Sequence, residues 1–193
     1  MIGPRNALTC HPETPCQHVH AMSVRVQRKP DGAAAFAFRL DGSVGLLRVP
    51  PPGPPRRADG LWQHTCFEAF LALNGATAYY EFNFAPSGEW AAYSFLRYRE
   101  GNPLDLDGQP AISVRRAADR FELDAMIRVD GLPALPPNAL LRLGLSAVLE
   151  DQHGERSYWA LRHPPGKPDF HHPDAFALRL APAAHDPDCE AGR

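Results

Sequence analysis

Long apolar runs are absent from this 193-residue sequence. No stretch approaches the roughly 18 apolar residues that a transmembrane helix requires. The N-terminal segment MIGPRNALTCHPETPC also lacks the apolar core and the small-residue cleavage site of a signal peptide. We therefore expect a cytoplasmic protein in which all cysteines are reduced thiols, namely Cys10, Cys16, Cys66 and Cys189.

An excess of charge of either sign is missing as well. The 20 basic and 22 acidic residues give a formal net charge of -2. Such a balance gives no general attraction to nucleic acids or anionic membranes, and the arginines are scattered rather than clustered. We therefore predict neither a nucleic-acid nor a membrane partner, and the composition leaves the oligomeric state open.

A common metal-binding spacing is also absent. Cys10, Cys16 and His18 follow the pattern C-x5-C-x-H, which matches none of the usual zinc patterns. We expect an extended N-terminal segment here and no metal site.

Helix signals are scarce, whereas strand signals recur along the chain. Phe36 and Phe38, for example, belong to a run that alternates at period two, and turn segments separate many such runs. The proline-rich stretch 50–60 is expected to form a long surface loop. The pattern predicts an all-β fold, specifically a single antiparallel β-sandwich of immunoglobulin-like or jelly-roll-like type. It would cover residues 1–181 and be followed by a disordered tail at 182–193.

The segment LWQHTCFEAFLALNG (61–75) is predicted to be a long strand that ends in a hairpin turn. Its final Asn-Gly pair suits a two-residue type I′ turn. With that turn, Phe67 would lie across from Phe82, and Glu68 would lie across from Glu81. Because side chains alternate along a strand, one face of the hairpin is apolar and the other mixes polar and aromatic groups. The second face holds Trp62, His64, Cys66, Glu68, Phe70, Tyr79, Glu81 and Asn83.

This mixed face is interpreted as a polar groove with an aromatic platform. Trp62 offers a ring on which the C–H face of a sugar could stack, and Glu68 and Glu81 could accept hydrogen bonds from hydroxyls. The alternative is a structural face whose glutamates pair with arginines such as Arg97 or Arg99. The candidate ligand-binding residues on this face are Trp62, His64, Glu68, Glu81 and Asn83.

A second polar cluster lies in the stretch YWALRHPPGKPDFHHPDAF (158–176). Its prolines stiffen a loop that carries charge and imidazole beside a tryptophan, which suits binding. Adjacent histidines point in opposite directions in an extended chain, so they do not easily share one metal. The alternative is a rigid connection between the last strands that buries Phe170 and Phe176. The candidate ligand-binding residues in this cluster are Trp159, His163, Lys167 and His172.

Three motifs together resemble the bacterial stand-alone DOMON-like proteins, which are related to the family-nine carbohydrate-binding modules. They are LWQHTCFEAFLAL, YYEFNFAPSGEWAAYSFLRYREG and YWALRHPPGKPDFHHPDAFAL, within residues 8–180. The resemblance implies an antiparallel β-sandwich that binds a small ligand. Carried over by position, it assigns family roles to Trp62, Glu68, Asn83 and Gly88.

The resemblance also bears on cofactors and on a second tryptophan. Sugar-binding relatives clamp a sugar between two tryptophans, and the candidates for the second one are Trp90 and Trp159. Some relatives hold calcium, which is left open as an alternative to the expected absence of a cofactor. Haem-binding relatives use an axial Met and His, and Met22 and Met126 form no matching pair, which argues against haem.

The resulting functional hypothesis is a non-catalytic module that binds a small molecule, with a carbohydrate or sugar-like metabolite as the partner. One alternative is a hydrolase that uses Glu68 and Glu81 as an acid and base pair. Another is a protein-interaction domain. A thiol–imidazole pair of Cys66 and His64 is disfavoured, because residues two apart on a strand are about 7 Å apart at Cα. No catalytic residue is predicted.

Overall fold

The structure is a computed structural model that describes residues 3–182. The predicted tail at 182–193, apart from its first residue, and Cys189 lie outside the described residues. The described part contains thirteen strands, which are β1 (Arg5–Cys10), β2 (Val19–Arg28), β3 (Ala33–Gly42), β4 (Arg56–Arg57), β5 (Cys66–Leu73), β6 (Tyr79–Phe84), β7 (Glu89–Arg97), β8 (Glu100–Pro103), β9 (Ala111–Arg116), β10 (Arg120–Arg128), β11 (Leu141–Glu150), β12 (Arg156–Ala160) and β13 (Leu178–Leu180).

Helical structure in residues 3–182 is limited to three short 3-10 segments. They are Val44–Leu46, Leu61–Gln63 and Pro173–Ala175. No helix in this range has the length and hydropathy needed to cross a bilayer. The prediction of an all-β protein is therefore confirmed for the described residues.

The strands form one continuous sheet in the order β4-β7-β6-β5-β11-β12-β1-β2-β3-β10-β9. β13 pairs with β11, and β8 pairs with β7. Strand β1 joins the two halves, because Arg5–Leu8 pairs with β2 while Thr9 and Cys10 pair with β12. β4 runs parallel to β7, whereas the other pairs are antiparallel. The expected single antiparallel sandwich is thus a mixed, curled sheet whose halves share a strand.

The core lies between the two halves of this curled sheet. The ring of Phe67 on β5 lies 5.2 Å from that of Phe38 on β3 and stacks on Phe121 of β10 at 5.6 Å. Phe36 contacts Phe84 in the same layer at 6.0 Å. Period-two alternation aims these rings at one another, and their burial contributes to the hydrophobic stabilisation of the fold.

The β5–β6 hairpin has a different register from the predicted one. Glu68 pairs with Asn83, and Phe67 pairs with Phe84, so the register is shifted by two residues. The type I′ turn does not form because Asn74 lacks a positive φ, and its backbone N–H instead donates to Leu140 O at 3.1 Å. A shift of two residues preserves which side chains share a face.

The predicted long strand begins later than expected. Leu61–Gln63 forms a 3-10 helix after Gly60, whose φ of 74° is in the left-handed region, and β5 begins only at Cys66. The proline-rich segment before it is a surface loop that contributes Arg56 and Arg57 as an edge strand. Trp62 and His64 therefore lie on the approach to the strand and not on the strand itself.

Candidate functional site

The outward face of the half-sheet β7-β6-β5-β11-β12 forms the floor of a cavity of about 590 Å³. Pairing across the strands places the side chains of this floor on one face: Glu81 lies opposite Tyr93, and Val148 lies opposite Tyr158. Two acidic side chains thus lie within a largely aromatic floor. The floor residues are Glu68, Glu81, Tyr93, Phe95, Val148 and Tyr158.

The roof of the cavity is the segment between β12 and β13, which we call the roof loop (residues 161–177). It contributes Lys167, Pro168, Phe170 and His171. Its four prolines restrict the backbone and lower the entropic cost of holding this shape. The rim of the cavity is completed by Thr14, Trp62 and Arg99.

The two carboxyl groups of the floor are almost completely buried. Glu68 is 2% exposed and Glu81 is 5% exposed. Ser146 Oγ donates to Glu68 Oε2 at 3.2 Å, and Asn83 Nδ2 donates to Glu81 Oε1 at 2.7 Å. Burial, reinforced by the charge of Glu81, raises the pKa of Glu68 well above its usual value. Burial likewise raises the pKa of Glu81 to about 7, so near neutral pH the pair carries at least one proton.

His171 connects the roof loop to the floor as a neutral imidazole. Burial lowers its pKa to about 4. The backbone N–H of Arg99 donates to the Tyr79 hydroxyl at 3.1 Å, and the same hydroxyl lies 2.9 Å from His171 Nδ1. The imidazole proton is assigned to Nε2, because Nε2 faces the acceptor Glu81 Oε2 at 3.7 Å. Nδ1 then accepts the hydrogen bond from the Tyr79 hydroxyl.

Arg99 links the β7–β8 turn to the roof loop. It has a positive φ of 56°, which a non-glycine residue adopts only when its surroundings hold it there. Its Nη2 donates to Asp169 Oδ1 at 3.0 Å, and its Nε donates to the Tyr98 hydroxyl at 3.2 Å. Tyr98 in turn donates to Asp169 Oδ2 at 2.8 Å. The guanidinium is thus paired with Asp169 and not with either floor glutamate.

Two further histidines attach the other end of the roof loop to β1 and the turn after it. His163 Nε2 lies 2.8 Å from Thr9 O, and His11 Nε2 lies 3.0 Å from Gly166 O. Carbonyl oxygens only accept hydrogen bonds, so both Nε2 atoms carry a proton. The roof loop is therefore attached along its length by side chains from different parts of the chain.

The structure separates the predicted binding residues into three groups. Trp62, Glu68, Glu81 and Lys167 line the cavity. Asn83 is fully buried directly behind it and bonds to Glu81.

The third group lies away from the cavity. His64 Nδ1 contacts Glu150 Oε2 at 2.8 Å. Trp159 points into the core, where its Nε1 donates to Ser157. His163 attaches the roof loop, and His172 caps the last 3-10 helix by accepting from the backbone N–H of Asp174.

The expected second clamping tryptophan is not present in the cavity. Trp90 and Trp159 both belong to the hydrophobic core between the halves of the sheet. Their strand partners explain why, because Trp90 pairs with Phe84 and Trp159 with Ala147, which both face the core. The aromatic surface around the cavity comes instead from Tyr93, Phe95, Tyr158 and Phe170.

Several cavity residues were not among the sequence-based candidates. Tyr93 and Phe95 could have been found by extending the alternation from Glu81 across the next hairpin to β7. The sequence-based candidates include His172 and not its neighbour His171, since nothing in the local sequence indicates which of two adjacent imidazoles turns inward. Within residues 3–182, no group of three or more His, Cys, Asp or Glu side chains is placed to hold a metal ion.

Sequence comparisons give no relatives, whereas structural comparisons do. No protein-family model matches the chain, and no curated protein matches it. A proposed carbohydrate-binding protein from Bacteroides uniformis superimposes with a TM-score of 0.63 and 14% identity, over 89% of this chain and 83% of that one.

A family 9 carbohydrate-binding module from Caldicellulosiruptor kristjanssonii, in complex with cellotriose, gives a TM-score of 0.60 at 11% identity. The match covers 96% of this chain and 85% of the module. A module of the same family and organism, in complex with glucose, gives 0.54 at 11% identity, over 90% and 81% of the two chains. The chain therefore has the fold of carbohydrate-binding proteins that include family 9 modules.

Proposed function

We propose that this chain is a non-catalytic module that binds a carbohydrate or sugar-like small molecule in the cavity beneath the roof loop. The observation that carries the proposal is the combination of aromatic rings and buried carboxyl groups around one cavity of about 590 Å³. Two of the structures that share the fold are complexes with cellotriose and glucose. That likeness supports a sugar as the class of ligand.

The chemistry of the cavity suits a sugar for two reasons. A sugar ring has apolar C–H faces, which pack well against aromatic rings such as those of Trp62, Tyr93 and Phe95. It also carries hydroxyls that both donate and accept hydrogen bonds. A carboxyl pair that keeps a proton near neutral pH offers a donor and several acceptors at once, so it can satisfy such hydroxyls in a water-poor site.

The finer sequence-based expectations form part of this proposal. They are a stand-alone DOMON-like module located in the cytoplasm, a single unit over residues 1–181, and a sandwich of immunoglobulin-like or jelly-roll-like type. The shared fold and the face-to-face packing of the two sheet halves support the last of these. The comparisons give no support to the hydrolase or protein-interaction alternatives.

Calorimetric titration with glucose, cellobiose and cellotriose tests the proposal. The protein should bind at least one of them, and Trp62→Ala should weaken binding by about tenfold, because a stacked ring contributes about 1.4 kcal/mol or more. Trp62 is 50% exposed, so its removal should leave folding intact. Leu46→Ala is the matched control, since Leu46 is 43% exposed and lies outside the cavity.

Two results would contradict this proposal. One is the absence of binding across a broad sugar library at millimolar concentration. The other is turnover of an aryl glycoside that disappears in Glu81→Gln, which would make the floor carboxyls a catalytic pair rather than a binding pair.

A further inference from the structure

The floor of the cavity contains more hydrogen-bond acceptors than donors. Glu68 Oε1 and Glu81 Oε2 receive no hydrogen bond from any residue in the range 3–182, since Ser146 and Asn83 donate to the other oxygen of each carboxyl. The fully buried Oδ1 of Asn83 also has no partner there. A buried acceptor without a donor, such as Asn83 Oδ1, is costly. The unpaired carboxyl oxygens belong to residues that line the cavity, so the floor is complementary to a ligand that brings several donors together.

Positive charge from the protein compensates the two carboxyls only in part: the charge of Arg99 lowers the pKa of each glutamate, but burial outweighs it and the pKa of both is raised. The guanidinium of Arg99 is held by Asp169 at 3.0 Å. Lys167 is an exposed residue on the roof loop, at the opening of the cavity. His171 lies 3.7 Å from Glu81 and remains neutral because burial lowers its pKa to about 4. The floor therefore has two acidic groups without a basic partner beside them.

The walls around the carboxyls are suited to a cation. Tyr93, Phe95, Tyr158 and Phe170 line the same cavity, and the faces of aromatic rings attract ammonium groups. The Tyr93 hydroxyl donates to Asp59 Oδ1 at 2.9 Å, and Asp59 is not part of the cavity lining. The proton of this hydroxyl is therefore not directed at the floor carboxyls. An ammonium group supplies three N–H donors on one atom, whereas a sugar hydroxyl supplies one.

We propose that the cavity selects a sugar that carries a primary ammonium group, with this group placed between Glu68 and Glu81. The inference rests on the proposed sugar-binding function and adds the chemical class of the ligand. The ammonium supplies the missing donors to the free carboxyl oxygens, and its charge replaces the proton that the pair otherwise retains. The rings of the cavity then cover the apolar face of the sugar.

Binding of this kind releases a proton from the carboxyl pair and therefore depends on pH. Burial raises the pKa of Glu81 to about 7, so a fall from pH 7 to pH 5 protonates it and removes the charge that attracts the ammonium. Among the neighbouring groups, burial raises the pKa values of Cys66, Tyr79 and Tyr93 above 9. The pKa of Arg99 is also raised, and that of Asp169 is lowered. Those groups do not change charge between pH 5 and pH 7.

Calorimetric titration with three matched sugars tests the inference. The probes are glucosamine, glucose and N-acetylglucosamine, the last having the same skeleton as glucosamine without the charge. At pH 7 glucosamine should bind about tenfold or more tightly than the other two, because charged hydrogen bonds exceed neutral ones by roughly this factor. Its affinity should fall at least about tenfold at pH 5, where an amine with a pKa near 8 remains protonated.

Substitution of the carboxyls supplies a second readout. Glu81→Gln and Glu68→Gln keep the shape of each side chain and remove its charge. In Glu81→Gln the ratio of glucosamine to glucose affinity should fall towards one, and the pH dependence of that ratio should disappear. In Glu68→Gln the ratio should also fall, but a pH dependence should remain because Glu81 still titrates. Glu122→Gln, on the outer face of β10 where Glu122 pairs with Arg115, is the control and should retain the wild-type ratio. Thermal melting of each variant verifies that it is folded.

The outcomes separate this inference from the proposed function. Binding of glucose and N-acetylglucosamine as tight as that of glucosamine would overturn the inference and leave sugar binding in place. Methylammonium serves as a fourth probe, an ammonium group without a sugar ring. If methylammonium binds and none of the three sugars does, the result would support the cation site and contradict the sugar module. A lack of binding by all of these probes would overturn both.

Discussion

The hydroxyl of Tyr79 lies 2.9 Å from Nδ1 of His171 and joins strand β6 to the roof loop. The same hydroxyl accepts the backbone N–H of Arg99 at 3.1 Å. One tyrosine thus fixes the sheet, the β7–β8 turn and the roof loop relative to one another. The imidazole is neutral because burial lowers its pKa to about 4, and its Nδ1 can then accept from the tyrosine.

This relationship predicts an acid-dependent loss of stability that originates in His171. Burial lowers the pKa of His171 from 6.5 to about 4, so the unfolded chain binds a proton more readily than the folded one. The corresponding stability is fully present above pH 6.5 and is lost as the pH falls towards 4, by about 3 kcal/mol in total. Urea unfolding of the wild type and of His171→Asn at pH 7 and pH 4 measures this difference.

The control for this prediction is an exposed histidine. His153 lies in the turn after β11 and is exposed, so His153→Asn should retain the pH dependence of the wild type. Equal pH dependence in the wild type and in His171→Asn would show that the buried imidazole does not carry the effect.

The raised pKa of Glu81 predicts the opposite dependence of folding stability on pH. Burial raises its pKa from 4.5 to about 7, so the folded protein holds a proton that the unfolded chain has released. The stability that this confers is present below pH 4.5 and is lost as the pH rises through 7. Glu81→Gln mimics the protonated form, and it should be more stable than the wild type at pH 8 by an amount on the order of 3 kcal/mol.

Chemical denaturation of Glu81→Gln at pH 4 and pH 8, without ligand, measures the effect. The gain in the free energy of unfolding should be absent at pH 4, where the wild-type carboxyl is protonated as well. A variant that is less stable than the wild type at pH 8 would show that the ionised carboxylate is favourably paired in the folded protein.

The link between Arg99 and Asp169 predicts a local rather than a global effect. Asp169 Oδ1 accepts from Arg99 Nη2 at 3.0 Å and from the backbone N–H of His171 at 3.1 Å. Asp169→Asn should speed amide exchange in residues 163–172 by about threefold or more, because a charged hydrogen bond is lost. The free energy of unfolding should change by less than about 1 kcal/mol, since Arg99 is half exposed.

Hydrogen exchange followed by mass spectrometry provides this measurement. Asp174→Asn is the control, since Asp174 is also on the roof loop and its side chain is 63% exposed. If exchange in the roof loop is as slow in Asp169→Asn as in the wild type, Asp169 does not hold the loop in place.

The local sequence was most informative about which side chains share a face. Glu68, Glu81 and Asn83 were placed together from alternation alone, and they remain together although the register is shifted by two residues. Side chains alternate between the two faces of a strand with a period of two, so a register shift of two residues leaves each side chain on the same face. The predicted cross-strand partner of Glu68 was wrong, because the backbone N–H of Asn74 donates to Leu140 O, directly before β11, and the type I′ turn does not form.

The tryptophans show where local pattern becomes ambiguous. Tyr158 and Trp159 are adjacent aromatic residues, so either could face the core. The pairing of Trp159 with Ala147 on β11 turns the tryptophan inward and leaves Tyr158 to line the cavity. Trp62 reaches the cavity from a 3-10 helix rather than from a strand, which alternation could not indicate.

The sequence by itself determined the all-β character, the apolar face of β5 and β6, and the presence of acidic groups on the opposite face. These features depend on residue spacing along a strand, which is a local property. Only the tertiary structure decided that the roof loop covers those acids, that His171 rather than His172 turns inward, and that Arg99 binds Asp169. Each of these depends on contacts between segments far apart in the chain, and no local pattern records such distances.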